Sequence, residues 1–156
     1  MIVVRHSCPT RLVRWFLVAF LSVFTALQVQ AAELKIEARL IWGTNEEKSP
    51  DPGHRPVDGA TAAKLRKIFK WKNYFEVNKI VSTVPSRGTQ KFQMSKKCLI
   101  EITELAGPNV EVKLVGDGKP VNKTTKGLSK GESFTLGGED KNGSAWFVIV
   151  TELEEK

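Results

Sequence analysis

The sequence predicts a mainly β protein: an antiparallel sheet or a two-layer β-sandwich of about six to eight strands, with one amphipathic helix packed on it. Two observations support this prediction. Apolar residues occupy every second position in several segments, which is the period of a strand with one buried face. Short turns rich in glycine and proline separate these segments and favour antiparallel pairing. The alternative fold is an α+β single sheet with the helix on one face.

Residues 1–31 have the pattern of a secretory signal peptide. Arginines without any acidic residue precede the apolar stretch from Trp15 to Val29, and Ala31 ends a small-residue cleavage site. The stretch of about 15 residues is short for a bilayer span, which needs about 20, so an uncleaved anchor helix is the less favoured alternative. We therefore expect a secreted or periplasmic protein with no transmembrane helix after leader cleavage.

Removal of the leader changes both the charge and the cysteine count. The full chain has 24 Lys and Arg against 17 Asp and Glu, a net charge of +7. Three arginines lie in the leader, so residues 32–156 keep 21 cations and a net charge of +4. This balance lacks the strongly basic character of nucleic-acid-binding domains. Cys98 is then the only cysteine, and we expect a small buried hydrophobe rather than a reactive thiol.

Residues 32–156 have a length typical of a single β-rich domain. The alternation from Leu34 to Trp42 predicts its first strand. Residues 43–57 have no period and form a long loop, which holds the metal-ligand types Glu46, Glu47, Asp51 and His54. Such types in a Pro-rich loop, without a pattern that fixes their geometry, are a weak metal signal. We therefore predict no metal and no cofactor.

Residues 58–70 have the signature of the one helix. Asp58 is in place to cap the N-terminus, and Val57 occupies the position of a hydrophobic staple. Apolar residues at helical spacing predict one buried face, formed by Ala62, Leu65, Ile68 and Phe69.

The other face of this helix and the residues after it are basic, and they are the candidate ligand-binding residues: Lys64, Arg66, Lys67, Lys70, Trp71 and Lys72. A solvated face on a helix that covers the sheet explains them without a ligand. Cations late in a helix also complement its dipole. The functional hypothesis is an anionic partner: lipid headgroups, an acidic envelope polymer or an acidic protein face.

The rest of the chain alternates strands and turns. The dipeptide Asp117-Gly118 predicts a two-residue hairpin because both of its positions favour positive φ. A change of buried face after Val77 indicates a β-bulge. The last strand is apolar on both faces, which is typical of a central strand with a covering layer. The predicted strands begin at or near Asn73, Phe92, Cys98, Val110, Val121, Ser133 and Ala145.

The segment from Lys64 to Val77, the pair Gly131-Glu132, the run Leu136 to Gly138 and the final apolar strand together form a recognisable pattern. With the leader, this pattern resembles a set of small secreted bacterial proteins of uncharacterised function. The resemblance implies a fold and a compartment, and it carries no catalytic residues.

These observations favour an exported, non-catalytic β module that binds or assembles with a cell-envelope partner, either an anionic component or a protein. One alternative is a structural subunit of a secretion or surface assembly that joins its neighbours through a sheet edge. The less favoured alternative is a hydrolase that gathers Glu46, Asp51 and His54 near Tyr74 or Cys98.

Overall fold

The computed structural model describes residues 33–139 and 142–154, and the predicted signal peptide lies outside these ranges. Ala32–Lys156 forms one compact unit. In chain order its strands are β1 (Leu34–Thr44), β2 (Arg55–Pro56), β3 (Asn73–Val84), β4 (Thr89–Gln93), β5 (Cys98–Glu104), β6 (Asn109–Gly116), β7 (Lys119–Gly127), β8 (Ser133–Glu139) and β9 (Ala145–Glu152). The helix α1 (Gly59–Ile68) lies between β2 and β3.

The strands form two antiparallel sheets, so the predicted two-layer sandwich is confirmed and the single-sheet alternative is wrong. The five-stranded sheet has the order β2-β3-β1-β9-β8, and the four-stranded sheet has the order β4-β5-β6-β7. The part of the chain that the structure describes has nine strands, against the six to eight predicted. The excess is β2, a two-residue strand inside the predicted loop that pairs Arg55 and Pro56 with β3.

The space between the two sheets holds the inter-sheet core. Alternate residues of β1 point into it, as the sequence predicts: Ile36 and Ala38 are fully buried and Leu40 is 5% exposed. They pack against the inner faces of β5 and β6, where a second set of residues is also fully buried: Ile100, Ile102, Val112 and Leu114. Cys98 belongs to this core and is 6% exposed, so its prediction as a buried hydrophobe is confirmed.

A second cluster, the outer core, covers the opposite face of the five-stranded sheet beneath the helix. Its buried members are Ile41, Leu65, Trp71, Tyr74, Ala145, Phe147 and Ile149. The last strand β9 therefore contributes to both cores, with Val148 and Val150 on one face and Phe147 on the other. Because one face of β9 meets a sheet and the other a helix, its sequence is apolar at successive positions, as predicted.

The helix begins where the sequence predicts and ends two residues earlier. The Asp58 side chain accepts a hydrogen bond of 2.8 Å from the backbone N–H of Thr61, which confirms the N-cap. The prediction that Ile68 belongs to the buried face is wrong, because its side chain is 69% exposed. Ile68 is the last helical residue, and the chain leaves the helix at Phe69 in an extended conformation. Phe69 packs against the outer core instead.

Two further local predictions are confirmed. The pairing of β1 with β3 shifts register between Leu40 and Ile41, which leaves Val77 as the extra residue of a bulge in β3. Asp117 and Gly118 both have positive φ, at 47° and 74°, and they join β6 to β7 as a tight hairpin. This hairpin lies at the same end of the sandwich as the loop before β2, since both line one cleft.

Candidate functional site

The basic residues predicted to bind a ligand form one exposed surface around the helix and the residues after it. We call it the basic helix surface, and it consists of Lys64, Arg66, Lys67, Lys70 and Lys72, all of them exposed. The Nε atom of Arg66 donates a 3.0 Å hydrogen bond to the carbonyl oxygen of Lys72. This bond ties the last turn of the helix to the segment that enters β3.

Trp71, also predicted as a ligand-binding residue, is not on this surface. Its side chain is 5% exposed and belongs to the outer core. Its indole Nε1 donates a 2.9 Å hydrogen bond to the carbonyl oxygen of Gly143, and its ring stands edge-on to Phe147 with centroids 5.5 Å apart. The Lys70 Nζ lies 5.1 Å from the centroid of the same ring. Trp71 therefore anchors the surface from below, and what remains accessible of it lines the groove beside Ile68.

Four lysines of the sheets are ion-paired, whereas four cations of the basic helix surface are not paired among the described residues. On the sheets, each of the following pairs joins a lysine to a carboxylate within 4 Å: Lys79–Glu37, Lys91–Glu101, Lys113–Glu101 and Lys123–Glu111. Within residues 33–139 and 142–154, no such pair involves Lys64, Arg66, Lys67 or Lys72. Lys64, Arg66, Lys67 and Lys72 thus present positive charge that no carboxylate among the described residues neutralises.

Apolar groups adjoin this positive charge. Ile68 is the most exposed of the large hydrophobic side chains in the described ranges, and it lies four residues after Lys64, so the two are neighbours on the helix surface. Ile68 also lines a groove of about 420 Å³ between the end of the helix and β8, with Phe147 and Gly137 among its other lining residues. The surface therefore combines exposed cations with accessible apolar contacts.

The helix is held on the sheet by a charged contact at its N-terminus. Arg39, on the outer face of β1, bonds Glu76 through its Nε atom at 2.6 Å and reaches Asp58 at 3.4 Å. Hydrogen bonds from the backbone and the hydroxyl group of Thr61, together with Arg39, lower the pKa of Asp58 to about 2. The cap thus stays ionised at neutral pH, and the basic helix surface has a fixed orientation on the sheet.

Of the residues proposed for an enzyme, Asp51 contacts His54 and Cys98 lines the same cleft as His54, whereas Glu46 and Tyr74 do not line it. His54 has its Nδ1 atom 2.7 Å from the Oγ atom of Ser49 and its Nε2 atom 3.6 Å from Asp51. These contacts are local and order the loop before β2. Tyr74 belongs to the outer core, on the far side of the sheet from the cleft that His54 lines. Glu46 does not line that cleft.

Cys98 does share the cleft with His54, but its thiol is poorly suited to nucleophilic attack. Burial raises the pKa of Cys98 to about 11, so the thiol stays protonated near neutral pH. The reacting form of a cysteine is the thiolate. The cleft therefore contains an imidazole held in place by Ser49, but the cysteine that shares the cleft is not activated as a nucleophile.

The cleft itself is a feature that sequence reasoning missed. It opens between the two sheets at the end of the sandwich formed by the loop before β2 and the β6–β7 hairpin, and its volume is about 500 Å³. Trp42 and Trp146 line it from directly paired positions of β1 and β9. The alternating pattern of β1 places Trp42 on the inner face. Nothing in the sequence indicates that the inter-sheet core ends before this residue and leaves its side chain partly exposed in a cleft.

The structure places no group of three or more His, Cys, Asp or Glu side chains close enough to hold a metal ion within its described ranges. In the same ranges, no helix has the length and apolar character needed to cross a bilayer. Comparisons with protein-family models, curated proteins and solved structures gave no match to this chain.

Proposed function

We propose that this chain is an exported, non-catalytic β module, secreted or periplasmic, that binds an anionic component of the cell envelope through the basic helix surface. The observation that carries the proposal is a cluster of exposed lysines without ion pairs among the described residues, next to the exposed Ile68. Four strand lysines have carboxylate partners, whereas Lys64, Lys67 and Lys72 have none among the described residues and lie close together in the chain. A partner that supplies negative charge would complement this surface and bind more weakly as salt increases.

Ile68 and the groove beside it narrow the chemistry of the partner. An anionic polymer can form ion pairs with the lysines but offers no place for Ile68. An anionic lipid surface can form ion pairs with the lysines and also bury an apolar side chain. The exposure of Ile68 among the lysines favours the lipid surface. The signal-peptide pattern of residues 1–31 supports a location where such a surface is accessible.

The test compares two variants that carry the same charge change. The first is the triple variant Lys64→Glu, Lys67→Glu and Lys72→Glu. The matched control is Lys96→Glu, Lys119→Glu and Lys126→Glu, three exposed lysines on the four-stranded sheet and its turns. Each lysine near an anionic bilayer contributes about 1 kcal/mol, so loss of three weakens binding by at least about 3 kcal/mol, roughly a hundredfold, and the three added carboxylates weaken it further.

Cosedimentation of the Ala32–Lys156 unit with vesicles measures the effect. Vesicles of phosphatidylcholine alone are compared with equal parts of phosphatidylcholine and phosphatidylglycerol, and polyglutamate serves as a lipid-free anion. We expect the wild type and the control variant to bind the anionic vesicles and the helix variant to lose binding. Equal loss in both variants would show that only net charge matters, and that result would contradict the proposal. A wild type that binds neither the anionic vesicles nor polyglutamate would also contradict the proposal.

The structural-subunit alternative has no comparable observation in its favour. It requires an edge strand that pairs with a neighbouring molecule. The edge strand β7 carries Pro120 and the exposed lysines Lys119, Lys123 and Lys126. Proline and lysine on an edge strand oppose pairing with a further strand. This alternative therefore stays a prediction that sedimentation of the purified unit can test.

A further inference from the structure

The cleft between the sheets is independent of the basic helix surface and has the dimensions of a ligand site. Its volume of about 500 Å³ lies within the range of small-molecule pockets, about 300 to 1,000 Å³. It opens where the inter-sheet core ends, so its floor consists of apolar residues, Leu40 and Val77 among them. Its rim consists of the loop before β2, the turn between β4 and β5 and the β6–β7 hairpin, which supply polar groups.

Trp146 forms an aromatic platform in this cleft. Its indole atoms Cζ2, Cε2 and Nε1 lie 3.5 to 3.9 Å from the position that a Cβ atom would take at Gly138, so the ring covers this glycine. On the opposite sheet, a Cβ atom at Gly116 would lie 3.7 Å from Cζ2. The indole therefore packs over two glycines, one on each sheet, and its position is fixed by backbone rather than by flexible side chains. Within the described ranges, Trp146 has no aromatic ring contact.

Trp42 and His54 form a fixed wall beside this platform. The ring of Trp42 packs against Phe75 at a centroid distance of 5.9 Å and against His54 at 6.3 Å. Ser49, 2.7 Å from the Nδ1 atom, holds the imidazole in place. The wall therefore has an ordered aromatic surface next to a ring nitrogen that can form hydrogen bonds.

The rim has polar groups but little net charge. Lys97 and Asp117 both line the cleft and pair with each other at 3.8 Å. Ser95 adds a hydroxyl group. An anionic ligand would have to compete with Asp117 for Lys97. A cationic ligand would have to compete with Lys97 for Asp117. The site thus favours a neutral ligand with many hydroxyl groups, in contrast to the basic helix surface.

From this combination we propose that the cleft is a saccharide-binding site. A pyranose ring has an apolar face of C–H groups and a periphery of hydroxyl groups. The C–H face would stack on the indole of Trp146, while the hydroxyl groups would bond His54, Ser95, Lys97 and Asp117. Apolar and aromatic walls with a few placed polar groups are the general composition of such small-molecule sites.

The test uses a variant that fills the cleft and a matched control. Val121 lines the cleft and is 47% exposed, so Val121→Phe adds a ring to the cleft without disturbing the buried core. Val81 is 45% exposed on the outer face of the other sheet and does not line the cleft, so Val81→Phe is the control. A third variant, Trp146→Ala, removes the platform itself.

Binding is measured by tryptophan fluorescence and calorimetry with chitotriose, cellotriose and maltotriose, and with phenol as a simple aromatic probe. We expect saturable binding of at least one trisaccharide by the wild type and by Val81→Phe. Val121→Phe and Trp146→Ala should bind it at least about tenfold more weakly, because the first fills the space that the sugar would occupy and the second removes the ring on which it would stack.

Three results would overturn the proposal: no trisaccharide binds the folded wild type, only phenol binds, or Val121→Phe binds the trisaccharide as tightly as the wild type does. Unfolding curves of the variants establish that each is folded before binding is compared. Vesicle binding through the basic helix surface is expected to be unchanged in Val121→Phe, so failure of either proposal leaves the other one testable.

Discussion

Phe147 joins the sheet to the helix layer through its aromatic contacts. Its side chain is 2% exposed, and its ring centroid lies 4.2 Å from Phe69, 5.5 Å from Trp71 and 6.2 Å from Tyr74. We predict that Phe147→Ala destabilises the whole domain and, in addition, loosens the helix from the sheet. The basic helix surface would then lose its fixed orientation.

The expected cost follows from the surroundings of the ring. Truncation of a buried phenylalanine to alanine typically costs about 3 to 5 kcal/mol. Here the ring covers two glycines on the neighbouring strands: a Cβ atom would lie 2.8 Å from it at Gly43 and 2.5 Å from it at Gly137. Because neither glycine has a side chain that can fill the space, we expect a cost near 5 kcal/mol. A domain of this size has a total stability of about 5 to 15 kcal/mol.

The assay combines urea unfolding with amide hydrogen exchange across Gly59–Ile68. The control is Phe92→Ala, which removes a ring that is 1% exposed in the inter-sheet core. Both variants should lose stability, but only Phe147→Ala should lower helix protection below the level set by global unfolding. If Phe147→Ala does not fold, Phe147→Leu gives the same comparison at a smaller cost. Equal helix protection relative to global stability in both variants would refute the role assigned to Phe147.

Three further predictions concern single side chains. Asp58→Ala should cost about 1 kcal/mol in urea unfolding and Asp58→Asn less, since asparagine also caps helices. The pKa of Asp58 is about 2 in the folded protein, so its contribution to stability is present above about pH 4 and is lost as the pH falls toward 2; a wild type and an Asp58→Ala variant with parallel acid-unfolding curves would contradict this. Cys98, with its pKa raised to about 11, should react with a thiol reagent slowly in the folded Ala32–Lys156 unit and rapidly in urea, and rapid labelling of the folded unit would contradict its burial. Burial raises the pKa of Glu152, so its charged form destabilises the fold and Glu152→Gln should melt at a higher temperature at pH 7; the difference should close below about pH 4, where the wild type is protonated in both states.

Local patterns in the sequence determined most of the fold. The alternation in β1, the Asp58 cap and the Asp117-Gly118 hairpin were all correctly predicted, because each depends on residues within a few positions of one another. The predicted end of the helix and the predicted burial of Ile68 are both wrong, and both errors have one cause. Helical spacing places Ile68 on the buried face, but the helix ends there and the chain turns away, so Phe69 and Trp71 pack in its place.

The candidate sites also differ in whether local sequence predicts them. The basic helix surface is visible in the sequence because its residues are contiguous, although only the structure shows that Trp71 is buried beneath it. The cleft is not visible, since Trp42 and Trp146 are distant in the chain and become neighbours only when β1 pairs with β9.

The sequence by itself thus determined which segments extend, where they turn and which residues avoid water, since these properties follow from side-chain periodicity and backbone preference. Tertiary structure alone decided how the strands divide into two sheets, which face the helix covers and where the core leaves a cleft. These depend on contacts between distant residues, which no local period encodes.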